Sequence, residues 1–355
     1  MRKYYLLIIL FFVSIGAFAQ DAAFSQVSNT FQFTQPSNVI MNKRVVQIQT
    51  AYHKQWMGLG NDDFNTLFAG IHMPFPSSGL GVGLSLMQDV EGVGNLKTQQ
   101  AKLTTRYNLI HRQAKSKHQL VAAIDVAFIR KNLGKPELIF ANDLNPVFGV
   151  NPAALNMNID ATQFLDLSAG FTWTNANLDL SRILNNDMVK NYRVPFSFSF
   201  TAHHISRPTE SLLGINTRLP VRLIATATTS LTALSPDGIH LRHLLFQYDK
   251  QSTIEKFTAG AALNFAGEDA PCNVYIGAYY VNSYFANAVT QNTDGYVFLI
   301  GTEIGSTDRY NICLSYDYNN RGLSAQSGGI VEVTLNITAK KLFKTIVNCF
   351  AYKHF

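Results

Sequence analysis

The chain has 355 residues, of which 15% are charged and 12% aromatic, and its formal net charge is +6. Soluble globular chains carry about 25% charged residues, so this composition disfavours a soluble enzyme, and so mild a positive charge gives no reason to expect nucleic acid. Three cysteines, Cys272, Cys313 and Cys349, are odd in number and far apart, which excludes a disulfide framework and leaves at most one undetermined pair.

The first element in chain order is a secretory signal peptide over residues 1–19. Arg2 and Lys3 form a positive start, Tyr4 to Ile15 an apolar run, and Ala17-Phe18-Ala19 an A-x-A cleavage signal that places the mature start at Gln20. The apolar run falls short of the ~20 residues that a membrane-spanning helix needs, and the flank turns polar at once. Later in the chain no apolar run reaches the ~18 residues of a spanning helix. An exported, aromatic-rich chain without spanning helices fits the outer membrane, because only a closed barrel crosses lipid without helices.

Residues 20–43 alternate poorly and read either as a periplasmic lead or as a plug inside a lumen. From residue 44 a period-two pattern takes over. Leu165, Leu167, Ala169, Phe171 and Trp173 alternate with Asp166, Ser168, Gly170, Thr172 and Thr174; Val331, Val333, Leu335 and Ile337 alternate with Glu332, Thr334, Asn336 and Thr338. Successive side chains of a strand point to opposite faces, so each segment has one greasy and one polar face. Several segments run ten or more residues, near the ~9–11 that a tilted transmembrane strand needs, against ~5–6 for a soluble strand.

Fourteen segments qualify: 44–53, 64–73, 79–89, 97–110, 118–129, 164–174, 192–204, 220–231, 240–250, 256–265, 272–284, 293–305, 309–319 and 328–338. The fold class is therefore all-β, a transmembrane antiparallel β-barrel of about fourteen strands over 44–338, an even number as closed single-chain barrels have. The greasy faces meet outer-membrane lipid and the polar faces, such as Lys102, Thr104, Arg106 and Asn108, line the lumen. The long connections 54–63, 130–163 and 205–219 all fall on one side, expected to be the outside, and short ones such as 74–78 and 306–308 fall on the other. The connection 175–191 breaks this rule.

Gly79, Gly81 and Gly83 recur every second residue, so all three fall on one face of a strand. The expectation is that they face the lumen and leave room for another backbone, such as that of 20–43. A dinucleotide loop would need a helix after them. His203-His204 and His240…His243 have a spacing that sends neighbours to opposite faces, so neither pair is expected to hold a metal. No His-Glu-x-x-His, Cys-x-x-Cys or Gly-x-Ser-x-Gly motif is present. A Ser-His hydrolase in the barrel wall needs no such motif and stays open, but the expectation is a non-enzyme without cofactor or metal.

The tail 339–355 carries four lysines and no acid among apolar residues. Docking of a periplasmic partner is the functional reading, with Lys340, Lys341 and Lys344 steering toward an acidic surface and Phe343, Ile346 and Phe350 supplying buried area. The competing readings are an assembly signal ending at Phe355 and a cap over the lumen.

Specific stretches resemble the PorP/SprF family of type IX secretion and gliding outer-membrane proteins. Gln20-Asp21 with Phe24-Ser25-Gln26 is similar to the family's opening, and Tyr52-His53-Lys54-Gln55-Trp56 to its Tyr-Arg-x-Gln-Trp stretch. Gly79-Leu80-Gly81-Val82-Gly83 followed by Asp89, Gly92 and Gly94 resembles its Gly-rich strand and turn. Asp166-Leu167-Ser168-Ala169-Gly170, Ser315-Tyr316-Asp317-Tyr318, Gly328-Gly329 and the Cys349 tail follow in family order. Departures are Gln35-Pro36-Ser37 in place of Asn-Pro-Ala, the insertion at 175–191, and a tail without the usual Pro. The resemblance implies a non-enzymatic part in secretion or gliding, with periplasmic lipoprotein components or a secreted surface protein as partners. The alternative on the same fold is a porin or small-ligand channel.

Overall fold

The computed structural model describes residues 21–39, 41, 43–57, 64–92, 94–110, 118–134, 144–145, 149–150, 161–178, 192–210, 217–233, 238–266, 272–285, 293–305, 308–319 and 328–340. A single helical turn, α1 (Phe31–Thr34), precedes the strands. The strands are β1 (Val46–Gln55), β2 (Asn65–Phe75), β3 (Leu80–Glu91), β4 (Leu96–Asn108), β5 (His118–Leu133), β6 (Leu144–Asn145), β7 (Gly149–Val150) and β8 (Thr162–Leu178). They continue as β9 (Tyr192–His203), β10 (Arg222–Ala233), β11 (Gly238–Gln251), β12 (Ile254–Ala266), β13 (Cys272–Phe285), β14 (Thr293–Ile304), β15 (Arg309–Asn319) and β16 (Ile330–Ala339).

All but β6 and β7 form one closed antiparallel barrel in which each strand pairs with its sequence neighbour. The short β6–β7 hairpin stands outside the wall, so β5 pairs directly with β8. The barrel closes where β1 meets β16, from Val46↔Ala339 to Gln55↔Ile330. Closure leaves no unpaired sheet edge, as a lipid-facing sheet requires. The wall has fourteen strands, and each expected segment overlaps one of them. β8 runs on to Leu178, which shortens the anomalous connection to 179–191.

The wall divides two solvents. On β3, Leu80, Val82, Leu84 and Leu86 point outward and are exposed, while Gly81, Gly83, Ser85 and Met87 point inward and are buried. Leu165, Leu167, Ile276, Phe298, Ile300 and Leu314 continue the outer face around the barrel. So continuous an apolar surface would drive association in water and suits lipid. Outward tyrosines mark its edges, with Tyr52, Tyr284, Tyr296 and Tyr318 near one end and Tyr107 and Tyr310 near the other, as in interfacial aromatic girdles.

The two mouths differ. Val46 and Ala339 lie at the tail-side mouth, with the connections 76–79, 109–117, 179–191, 234–237, 267–271 and 305–308. The connections 56–64, 92–95, 134–161, 204–221, 252–253, 286–292 and 320–329 gather at the far mouth. The two longest connections thus share the far mouth, and the wall's own ends share the other.

Candidate functional site: the occupied lumen

Residues 21–39 lie inside the barrel and touch its wall on all sides. The segment runs from the far mouth, at Asp21, towards the tail-side mouth, where Met41 lies against Gly81 and β1 begins at Val46. It has almost no regular structure of its own. Its form comes from side chains of the inward faces, many of which bind its main chain.

Glu332, fully buried on β16, accepts the backbone N–H of Ser25 at 2.6 Å and of Gln26 at 3.1 Å. The same carboxylate meets Nδ1 of His53 on β1 at 2.8 Å, and Asp317 on β15 accepts the Ser25 hydroxyl. Deeper in, Gln49 accepts the N–H of Gln32 at 3.0 Å, and Asn336 donates to the carbonyl of Asn29 at 3.0 Å. Lys102 donates to the carbonyl of Phe33 at 3.3 Å and lies 3.5 Å from Asp125. His203 reaches the carbonyl of Thr34 at 2.9 Å, and the Arg106 guanidinium donates to that of Pro36 at 2.5 Å. Side-chain bonds add Ser28 to Tyr279 at 2.9 Å and Ser37 to Thr172 at 2.8 Å. A buried charge is costly without partners, and here the occupant supplies many of them.

One apolar cluster sits within this polar lumen. Phe24 and Phe33 of the segment pack edge-on at 5.0 Å, and Phe33 meets Phe68 of β2 at 5.5 Å, with Ala51 and Met87 completing the group. Farther round the wall, on β13, β14 and β15, Tyr275, Tyr279, Val297, Leu299 and Cys313 form a second buried cluster.

At the far mouth the segment ends in a charged cluster. The Asp21 carboxylate lies 2.6 Å from Nε2 of His204 and 3.5 Å from the Arg222 guanidinium, and accepts from Gln251 at 3.2 Å. His204 uses its other nitrogen on Asp166 at 2.9 Å, and Arg222 makes a two-pronged pair with Asp249 at 3.0 and 2.6 Å. Burial opposes a charge on His204, but Asp21 and Asp166 outweigh it and raise its pKa to about 9. Burial likewise opposes the Asp21 carboxylate, and His204 and Arg222 outweigh it, holding the group well below the usual carboxylate range.

The glycines of the Gly-rich strand are placed individually. A Cβ on Gly81 would lie 2.9 Å from Met41 and 2.8 Å from His72, and one on Gly83 would strike the Arg106 guanidinium. Gly79 stands before β3 in the turn, with φ +73, where the left-handed region favours glycine. Of the tail, Lys340 is exposed and its backbone N–H donates to Asp308 at 2.7 Å. Lys341, Phe343, Lys344, Ile346 and Phe350 lie outside the described residues, as does Cys349, while Cys272 and Cys313 are free thiols.

The histidine pairs depart from strict strand parity. His204 has φ +58 and leaves the β conformation, so His203 and His204 both turn inward. At β11 the register shifts between Leu241 and His243. Arg242 and His243 therefore share the inner side, with Arg242 3.9 Å from the Tyr275 ring centroid and His243 2.6 Å from the Tyr279 hydroxyl. Among the described residues no group of three or more His, Cys, Asp or Glu side chains is placed to hold a metal ion. Glu332, Asp317, Asp166 and Arg222 were not singled out as functional from sequence. Their signal was a charge on the polar parity of an otherwise greasy strand.

A family model described as type IX secretion system membrane protein PorP/SprF matches residues 16–337. The chain belongs to this family. It is an outer-membrane protein and a component of the type IX secretion system. No curated protein matches it in sequence. Among solved structures it is similar to a Pseudomonas aeruginosa FadL homologue, with 11% identity, 88% of this chain and 94% of that one covered, and a TM-score of 0.48. The CymD monoaromatic hydrocarbon channel is 10% identical over 90% of this chain and 94% of its own, with a TM-score of 0.45. The Pseudomonas putida toluene transporter TodX is 9% identical over 88% and 93%, with a TM-score of 0.43. Likeness at this level says nothing of what the PorP/SprF member carries or binds.

Proposed function

We propose that this PorP/SprF member is a non-enzymatic, plugged barrel that serves the secretion machinery as an anchor in the outer membrane. Residues 21–39 are its plug, the far mouth faces outside, and the tail reaches the periplasm. There Lys340, Lys341 and Lys344 steer toward an acidic face of a periplasmic lipoprotein component, and Phe343, Ile346 and Phe350 bury against it. At the far mouth the barrel holds a secreted protein at the surface.

The observation that carries this reading is the filled lumen. A passage for solutes needs an open path, and here carbonyl and N–H groups of the plug occupy the polar groups that would line it. Affinity purification from native membranes tests the anchor. Deleting 341–355 should leave the barrel inserted while its periplasmic partners no longer co-purify. Insertion with partners and secretion unchanged would end the docking reading, and failed insertion would make the tail an assembly signal. In planar bilayers the full chain should pass little current, and steady open conductance would favour the channel alternative.

A further inference from the structure

The plug runs against the expected direction. A segment that precedes β1 at the tail-side mouth would, by the shortest path, stay at that mouth. Instead its two ends meet opposite mouths, with Thr34 between them also reaching His203 at the far-mouth end of β9. Met41 lies by Gly81 near the tail-side start of β3, and Pro36 by Arg106 near the tail-side end of β4. Ser25 meets Glu332 near the far-mouth start of β16, and Asp21 meets His204, Arg222 and Gln251, all at the far-mouth ends of β9, β10 and β11. The segment thus crosses the whole barrel.

We infer that the mature N-terminus is carried through the lumen to the far mouth, opposite the C-terminal tail, and that Asp21 with His204, Asp166, Arg222 and Asp249 forms a latch that holds it there. The latch is a chain of alternating charge. Asp166 orients His204, His204 and Arg222 grip Asp21 from two sides, and Asp249 orients Arg222 through both its oxygens. Removing Asp21 leaves the other four groups on the wall, where Asp166 and Asp249 still pair with His204 and Arg222. The wall is therefore complete without Asp21, which is what a releasable contact needs. Below the latch the grip combines bonds to main-chain atoms, which water can satisfy equally well, with side-chain bonds from Ser25, Gln26, Ser28 and Ser37, so release at the mouth frees the residues before Ser25 without breaking the wall.

The test uses the full chain in its native membrane. A short epitope tag is placed between Gln20 and Asp21, and in separate strains at Asn145 and after Phe355. Antibody labelling of intact cells should treat the first two tags alike and the third oppositely. An N-terminal tag that labels together with the Phe355 tag overturns the threading. To separate threading from any effect of the tag, a second measurement uses untagged protein with its cysteines replaced. Ser25→Cys with Asp317→Cys, at side chains that touch in the parent protein, should be joined by a short bis-maleimide reagent in membranes, and no cross-link while each thiol reacts singly overturns the threading. For the latch, chymotrypsin added outside should release the N-terminal tag by cutting after Phe24. Asp21→Asn should speed that release at least tenfold, with the folded barrel still resisting heat on gels. His204→Gln should do the same. An unchanged release rate in Asp21→Asn, which alters no wall residue, overturns the latch.

Discussion

Glu332→Ala is the sharpest perturbation of the plugged state. The Glu332 carboxylate is fully buried and has three partners, the N–H groups of Ser25 and Gln26 at 2.6 and 3.1 Å and Nδ1 of His53 at 2.8 Å. Breaking a buried pair by removing one member costs about 3–5 kcal/mol, because the remaining groups are left unpaired. The wall itself does not depend on this side chain, since β1 and β16 stay joined by ten consecutive residue pairs. His53 is itself a wall residue, so the part that falls on the docked plug is the loss of the Ser25 and Gln26 N–H bonds to the carboxylate, about 1.5–3 kcal/mol each and so ~3 kcal/mol at least for both. At the lower figure, ~3 kcal/mol, the undocked population should rise by about 150-fold, taking 1.4 kcal/mol per tenfold. In planar bilayers this should appear as current bursts that the parent protein rarely shows. Glu332→Gln keeps one acceptor oxygen and should give a smaller rise. A variant that inserts normally, stays electrically quiet and resists chymotrypsin at Phe24 like the parent would refute the reasoning.

Three further outcomes are expected. Gly81→Trp should lower the yield of heat-resistant barrel on gels, since even a Cβ there would lie 2.9 Å from Met41 and 2.8 Å from His72, and overpacking of this kind costs roughly 1–3 kcal/mol or more. A tag at Asn145, between β5 and β8, should be labelled in intact cells; labelling only after the outer membrane is broken would reverse the orientation. The latch should weaken in alkali: the charged and titratable groups around His204 are Asp21, Asp166, Arg222 and His203. Its pKa is raised from 6.5 to about 9, so its contribution is complete below 6.5 and disappears as pH rises through 9. Chymotryptic release after Phe24 should accelerate between pH 8 and pH 10 relative to a neutral reporter peptide, and a flat ratio would count against it.

The wall was legible in sequence because two solvents write on it at once. Val331 and Val333 face lipid while Glu332 and Thr334 face the lumen, and the same contrast repeats on β3, β8 and β15. That pattern fixes face, length and strand number without any tertiary information. The plug left no comparable mark. Residues 21–39 have one helical turn, no side-chain cap on it, and a conformation dictated by groups far away in sequence, such as Glu332 and Arg106. Parity also failed where the backbone departed from the strand, at His204 with its left-handed φ and at the register shift before His243. No count of alternate residues reveals a bulge, because the bulge is what changes the count.

The same physics explains why the plug's sequence carries no periodic pattern and why it is suited to leave. The wall grips N–H and carbonyl groups, which every residue offers, together with polar side chains such as Ser25, Gln26, Ser28, Gln35 and Ser37. Phe24 and Phe33 fill the apolar pocket beside Phe68, and Asp21 adds a charge at the far mouth. Each main-chain bond contributes about 1 kcal/mol net, the same order as the ~1–2 kcal/mol needed to order one residue. Retention of the plug is thus a close balance rather than a deep well. In such a balance the few contacts with a charge or an aromatic ring decide the outcome, and they are concentrated in residues 21–33, toward the far mouth. Loss of the Asp21 contact alone should therefore loosen the plug from that mouth inward, whereas loss of the Arg106–Pro36 bond should leave the mouth closed and loosen only the stretch leading into β1.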